Sequence, residues 1–99
     1  MENIKKENQQ LNNCNIPIQL DCVCSTQGNI TPRWFRYEDE NHKRYTVEID
    51  RILAQKELNF VGIKMLQFIC AASINEMDRI FEIRYNVFMH KWTFFQMFS

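Results

Sequence analysis

From residue 16 to the end of the chain, apolar and polar side chains alternate with a period of two. Ile16, Ile18, Leu20, Cys22 and Cys24 fall on even positions, and Pro17, Gln19, Asp21 and Ser25 fall on odd ones. Successive strand side chains point to opposite faces, so this is the pattern of a half-buried strand. The same alternation defines a hairpin. In residues 44–49, Tyr45, Val47 and Ile49 oppose Arg44, Thr46 and Glu48, and in residues 33–37, Phe35 and Tyr37 oppose Trp34 and Arg36. Residues 38–43 between them contain no apolar side chain, and their Asp and Asn form turns by bonding their own backbone. The pattern therefore predicts Phe35 and Tyr37 packed beside Tyr45 and Val47, with Pro32 at the start of the strand, where a missing N–H does least harm.

The remaining segments follow the same logic. Residues 25–29 are a turn, with Gly28 available for positive φ. Residues 63–73 read as a long strand with apolar residues on both faces: Leu66, Phe68, Cys70 and Ala72 on one, Met65, Ile69 and Ala71 on the other. Residues 74–78 are a turn, residues 79–85 alternate again, and residues 91–98 form a last strand. The connection between those two strands is apolar at Val87, Phe88 and Met89. Only residues 50–61 break the pattern. They contain good helix formers behind Asp50 as an N-cap, and read either as one or two helical turns or as an irregular connection.

These elements predict an all-β domain over residues 14–99: a small antiparallel sandwich or a partly open barrel of five to seven strands. Residues 1–13, rich in Asn, Gln, Glu and Lys, are too polar to offset the cost of ordering and read as a disordered leader. The strands at residues 63–73 and 91–98, the latter with Trp92, Phe94 and Phe98 opposing Phe95 and Met97, are apolar on both faces and carry a surplus. One sheet has one core, so the second face needs a cover, either from residues 50–61 or from a second copy of the chain.

Composition narrows the function classes. Twelve basic and twelve acidic residues give a formal net charge of zero, which provides no bulk attraction to nucleic acid or anionic membrane. No apolar run is long enough to span a bilayer, and no apolar segment follows Lys5 and Lys6 as a signal peptide would require. The expected location is a reducing cytoplasm, with the four cysteines as thiols. Cys22 and Cys24, with Cys14, Cys70, His42 and His90, lack the second pair that a structural zinc site needs. On the apolar face of their strand, they read as packing groups. Two glycines cannot make a phosphate loop, and the only clustered carboxylates, Glu38, Asp39 and Glu40, lie in a turn. The expectation is a protein that is not an enzyme and needs no cofactor or metal.

Two binding readings remain. The apolar tip, with Val87, Phe88, Met89, Trp92 and Phe95, predicts a protein partner or self-association through the C-terminal hairpin. Alternatively, Trp34 and Arg36, with Arg44 and Arg84 (and Lys43 and Lys91) nearby, form a platform for single-stranded nucleic acid. Glu38, Asp39, Glu40, Glu48 and Glu82 are interleaved with these and dilute the field.

Residues 30–40 (Ile-Thr-Pro-Arg-Trp-Phe-Arg-Tyr-Glu-Asp-Glu), Tyr45-Thr46-Val47, Phe81-Glu82-Ile83-Arg84-Tyr85 and Lys91-Trp92 together resemble a small uncharacterised bacterial family. Its members carry xPxxFxY, (Y/H)xV and (Y/F)E(L/I)xY…(K/R)W strands. The resemblance covers residues 16–98 and implies a compact all-β domain with no known activity. It assigns no functional residue. The apolar 87–89 tip departs from the polar turn expected there.

Overall fold

The computed structural model describes residues 15–99, and the leader expected over residues 1–13 lies outside them. Seven antiparallel strands form one curled half-barrel sheet: β1 (Ile16–Cys24), β2 (Ile30–Glu38), β3 (Arg44–Glu48), β4 (Arg51–Phe60), β5 (Ile63–Ile74), β6 (Met77–Asn86) and β7 (Lys91–Met97). Their order across the sheet is β3-β2-β1-β7-β6-β5-β4. Among the described residues there is no helix, and so none that could cross a membrane.

Residues 50–61 correct the helical expectation. Asp50 does not cap a helix; its N–H donates to the Ala71 carbonyl at 2.9 Å and starts β4 against β5. The neighbouring Ile49 N–H donates to the Arg33 carbonyl of β2 at 2.8 Å. β3 and β4 thus run on as one ribbon that pairs β2 along its first part and β5 along its second. This ribbon brings the two ends of the sheet order together. Tertiary pairing with β5 overrides the local helix propensity of Ala54, Gln55, Lys56 and Glu57.

The curl encloses an aromatic core. Phe35 of β2 reaches across to Phe81 of β6 (ring centroids 5.6 Å) and Phe94 of β7 (5.8 Å), which stack on each other at 5.3 Å. Phe68, Cys70, Ile83 and these three rings are fully buried. The organising hairpin has the expected register, Phe35 opposite Val47 and Tyr37 opposite Tyr45, with the two tyrosine rings 5.0 Å apart. Burial pushes the Tyr37 hydroxyl up to about 12. Asp39 closes the turn. Its Oδ1 accepts from the N–H groups of Asn41 and Lys43, both at 2.9 Å, and its Oδ2 accepts from the Tyr45 hydroxyl at 3.1 Å.

The alternation that puts Cys22 and Cys24 on the core face does not bury them. Both are exposed, because the end of β1 extends past the core with only the start of β2 beside it. Cys70 is buried, and its thiol is pushed up to about 12 by burial alone.

The β4–β5 turn is strained. Val61 (φ 51°) and Gly62 (φ 83°) both lie in the left-handed region, as a two-residue type I′ turn requires. A β-branched residue is poorly suited to that conformation. The Val61 side chain is fully exposed and gains no packing in return. Val61→Asn is expected to raise unfolding free energy by about 1 kcal/mol, whereas Phe81→Ala is expected to lower it by about 3–5 kcal/mol. Urea denaturation of the two variants measures both.

Candidate interaction surface

The inner face of the sheet holds the core, so the outer face of β4–β7 is the one that needs explaining. Directly opposed residues share a face. The pairs Phe60/Ile63, Leu58/Met65, Ala54/Ile69 and Ala71/Ile80 therefore lie together on the outer side, in register with Glu82, which opposes Ile69. Phe60, Ile63, Ile80 and Phe98 are exposed, and Leu58, Met65, Ile69 and Phe95 are half-buried. The sequence signal for this face was the double-sided apolar pattern of β5. β4 extends the sheet edge rather than folding over it, so residues 50–61 do not cover this face and, among the described residues, no other element does.

One polar cluster sits in the middle of this apolar face. Glu82 is 1% exposed. Its Oε2 accepts from Gln67 Nε2 (2.8 Å, β5) and Arg84 Nε (2.6 Å, β6), and its Oε1 accepts from Gln96 Nε2 (2.9 Å, β7). The Arg84 guanidinium lies 3.5 Å from the Phe95 ring centroid and 5.8 Å from that of Phe60, a cation–π arrangement. Among the described residues no buried side-chain nitrogen or oxygen lacks a partner. Burial pushes the Glu82 carboxyl up, but the bonds from Gln96, Gln67 and Arg84, with the Arg84 charge, outweigh it and hold the group below its ordinary value.

The residues expected at the C-terminal hairpin divide into three environments. Phe88 (85% exposed) and Met89 project from the turn, while Val87 is half-buried and its N–H donates to the Lys64 carbonyl at 3.2 Å. Trp92 faces inward, 4.7 Å from Tyr85 and 5.6 Å from Phe68 between ring centroids. Phe95 lies on the outer face beneath Arg84. The Val87–Lys64 bond sets the 87–90 turn beside the β4–β5 turn, so Val61 and Phe88 are exposed at one end of the sheet. Phe60, Ile63, Ile80 and Phe98 could not be found as site residues from the sequence, because only the register of β4–β7 brings them to one face.

The proposed nucleic-acid residues also separate. Trp34 and Arg36 are adjacent on β2, with the Arg36 guanidinium 5.2 Å from the Trp34 ring centroid and its Nε bonded to Thr46 Oγ1 at 3.3 Å. Arg44 lies on neighbouring β3, where its Nε is 3.7 Å from Glu38. Arg84 is three strands away from Trp34 and is held by Glu82. Asp21 and Glu48 directly flank Trp34, a poor setting for a phosphate backbone.

A cleft of ≈ 680 Å³ opens at the same end as these tips, between the β1–β2 turn at Gly28 and Asn29 and the β4–β6 strands, with Leu66 and Tyr85 in its wall. A Lys64–Glu57 pair at 3.4 Å crosses its rim. Among the described residues, no three His, Cys, Asp or Glu side chains gather as a metal site. No family model matches the chain, and no curated protein or solved structure is detectably similar to it.

The geometry of Glu82 fixes a pH dependence. Its folded pKa lies below the ordinary 4.5, so its stabilising contribution is present above that value and is lost as pH falls through the lowered folded pKa. Glu82→Gln is expected to cost about 1–3 kcal/mol at neutral pH and to flatten the acid limb. Denaturation midpoints measured between neutral pH and pH 3 test both.

Proposed function

We propose that the protein is a non-catalytic interaction module that self-associates or binds another protein. Its contact surface is the outer face of β4–β7, together with the adjoining tips at Val61 and Phe88. One observation carries this reading: Phe60, Ile63, Ile80 and Phe98 remain exposed on a single sheet face that no described element covers. Exposed apolar side chains gathered on one face mark contact sites. Fully burying each large apolar side chain is worth about 1.5–3 kcal/mol, so even partial cover by a partner favours association.

The Glu82 cluster supports the same reading. A carboxylate bathed in solvent accepts hydrogen bonds from water, whereas this one accepts from side chains on three strands of its own sheet. Such a group can be covered without leaving an unmet hydrogen bond. In this reading Phe88 and Met89 are the tip and Phe95 is part of the face beneath Arg84. Trp92 belongs to the interior.

Sedimentation of the wild type and co-purification from cells test the reading. The expected result is association with itself or with a retained protein, weakened in Phe60→Asp and, to a smaller degree, in Phe88→Asp. A strict monomer that retains no protein would end it.

A further inference from the structure

We propose that the gap between β2 and β4 receives one extended strand of another polypeptide, apolar on its inner side and acidic on its outer side. This place is separate from the outer face of β4–β7 and does not rest on it. The β3–β4 ribbon pairs β2 only at residues 34–38 and pairs β5 from Arg51 onward. Beyond the corner at Ile49 and Asp50, residues 30–32 of β2 therefore have β1 on one side and no strand on the other. β4 likewise has β5 on one side only. Two strand edges thus diverge from a closed corner, and such edges carry backbone donors and acceptors open to a further strand. Adding an extended segment to one edge is a common mode of peptide recognition. Here one segment meets both edges.

The space has the size of a strand. A cleft of ≈ 300 Å³ lies near the corner, between residues 31–33 and 50–52, and the cleft of ≈ 680 Å³ lies farther out, between residues 28–30 and 55–57. One residue of strand fills roughly 160 Å³ of a sheet, about 3.3 Å along the strand, 4.8 Å across it and 10 Å through both faces. The gap accordingly takes about two residues near the corner and about four beyond it. Its floor is apolar, since Ile30, Leu66, Tyr85 and Val87 line the wider cleft. Alternate side chains of the occupant point onto that floor and are apolar in turn.

The rim sets the charge. On the outer side of β4, Arg51 and Lys56 stand beside the gap, since they oppose Ala71 and Gln67, and Arg33 stands on the β2 rim. All three are exposed, and among the described residues none is in an ion pair. The nearby acids lie elsewhere. Glu57 faces inward and is paired with Lys64 at 3.4 Å, while Glu48 and Asp50 sit at the closed corner. Opposite charges on adjacent strands attract, so the outward side chains of the occupant are acidic. Residues 1–14 of the same chain suit the gap poorly. β1 begins at the Glu38 end of β2, whereas the gap lies at its Ile30 end. Their acids, Glu2 and Glu7, are also offset by Lys5 and Lys6.

Fluorescence anisotropy of the purified full chain with a labelled, end-blocked peptide of alternating Val and Glu tests the proposal. Saturable binding is expected with Kd on the order of 10–100 µM, as suits so small a contact. Amide hydrogen exchange within residues 30–32 and 52–57 is expected to slow on binding. Alternate residues of a strand direct their N–H groups to opposite neighbours, so N-methylation of either alternate set is expected to weaken binding roughly tenfold or more. Arg51→Glu combined with Lys56→Glu is expected to lose the Val-Glu peptide and take up its Val-Lys counterpart, with unchanged circular dichroism. Phe60→Asp is expected to bind the Val-Glu peptide as the wild type does. A chain that fails the outer-face tests and passes these loses the earlier reading and keeps this one. Absence of saturable binding, binding that survives either N-methylation, indifference to the charge reversal, or loss of binding in Phe60→Asp overturns the proposal. Binding only after residues 1–14 are removed assigns the gap to that segment, and a self-associated chain that the peptide dissociates assigns it to a second copy; both overturn it as well.

Discussion

Two consecutive backbone N–H groups decide the shape of this molecule. Ile49 donates to β2 and Asp50 donates to β5, so a single peptide unit joins two strands that lie near opposite ends of the sheet order. A flat seven-stranded meander would leave these strands far apart. Holding them at one corner forces the sheet to curl, and the curl brings Phe35 onto Phe81 and Phe94. Ile49 and Ile52 both pack against the core on either side of the corner. The bulge in β4 just beyond it then turns Gln55 and Glu57 to the inner side, opposite Phe68 and Leu66. The open cleft is a consequence: where the ribbon leaves β2 for β5, the start of β2 and the middle of β4 face each other without a strand between them.

With the ribbon used to join the edges, nothing in the described chain remains to form a second layer. Most small β-domains cover an apolar face with a helix or another sheet. Here β5 is apolar on both sides, and its outer side meets solvent around the Glu82 cluster. The cluster resolves what would otherwise be a conflict between burial and charge. Two cross-strand bonds, from Gln67 and Gln96, and one from Arg84 on the same strand satisfy the carboxylate, and the Arg84 guanidinium in turn packs against the Phe95 and Phe60 rings. Ion pairs buried in this way are weak sources of net stability, and their better-attested role is to fix one arrangement among several.

Strand positions were legible because period-two alternation is a local property. The expected residues 16–24, 63–73 and 91–98 lie within a residue of β1, β5 and β7. The Asp39 turn was legible because its side-chain bonds are local too. Residues 50–61 were not, since their strand state comes from pairing with β5, which no local pattern encodes. Cys22 and Cys24 mark a second limit: alternation gives the face of a side chain, whereas burial also depends on how far the core extends along the strand. The site was half legible. The double-sided pattern of β5 announced an open face, but its members, Phe60, Ile63, Ile80 and Phe98, come together only through the register of β4–β7. Trp92 and Phe95 fall on opposite faces by alternation alone, whereas the bulge opposite Glu82 and Ile83 brings Met97 inside, opposite Phe81, and leaves Phe98 exposed, which alternation does not give.

Val61 bears on whether the exposed apolar surface is incidental. A type I′ turn favours Asn or Gly at both central positions, and here the second is Gly62 while the first is a fully exposed, β-branched valine. The folded chain gains nothing from this choice: it adds backbone strain and wets an apolar side chain. Strained residues of this kind concentrate where a site requires them. Phe88, equally unsupported, stands on the neighbouring tip, joined through the Val87–Lys64 bond. The turn at the opposite end of the same strands makes the contrast, since Asn75 and Glu76 take up positive φ with polar side chains. Among the described residues, apolar strain is thus confined to the end where the open face meets the cleft, which places it on the proposed contact surface and not at random among the turns.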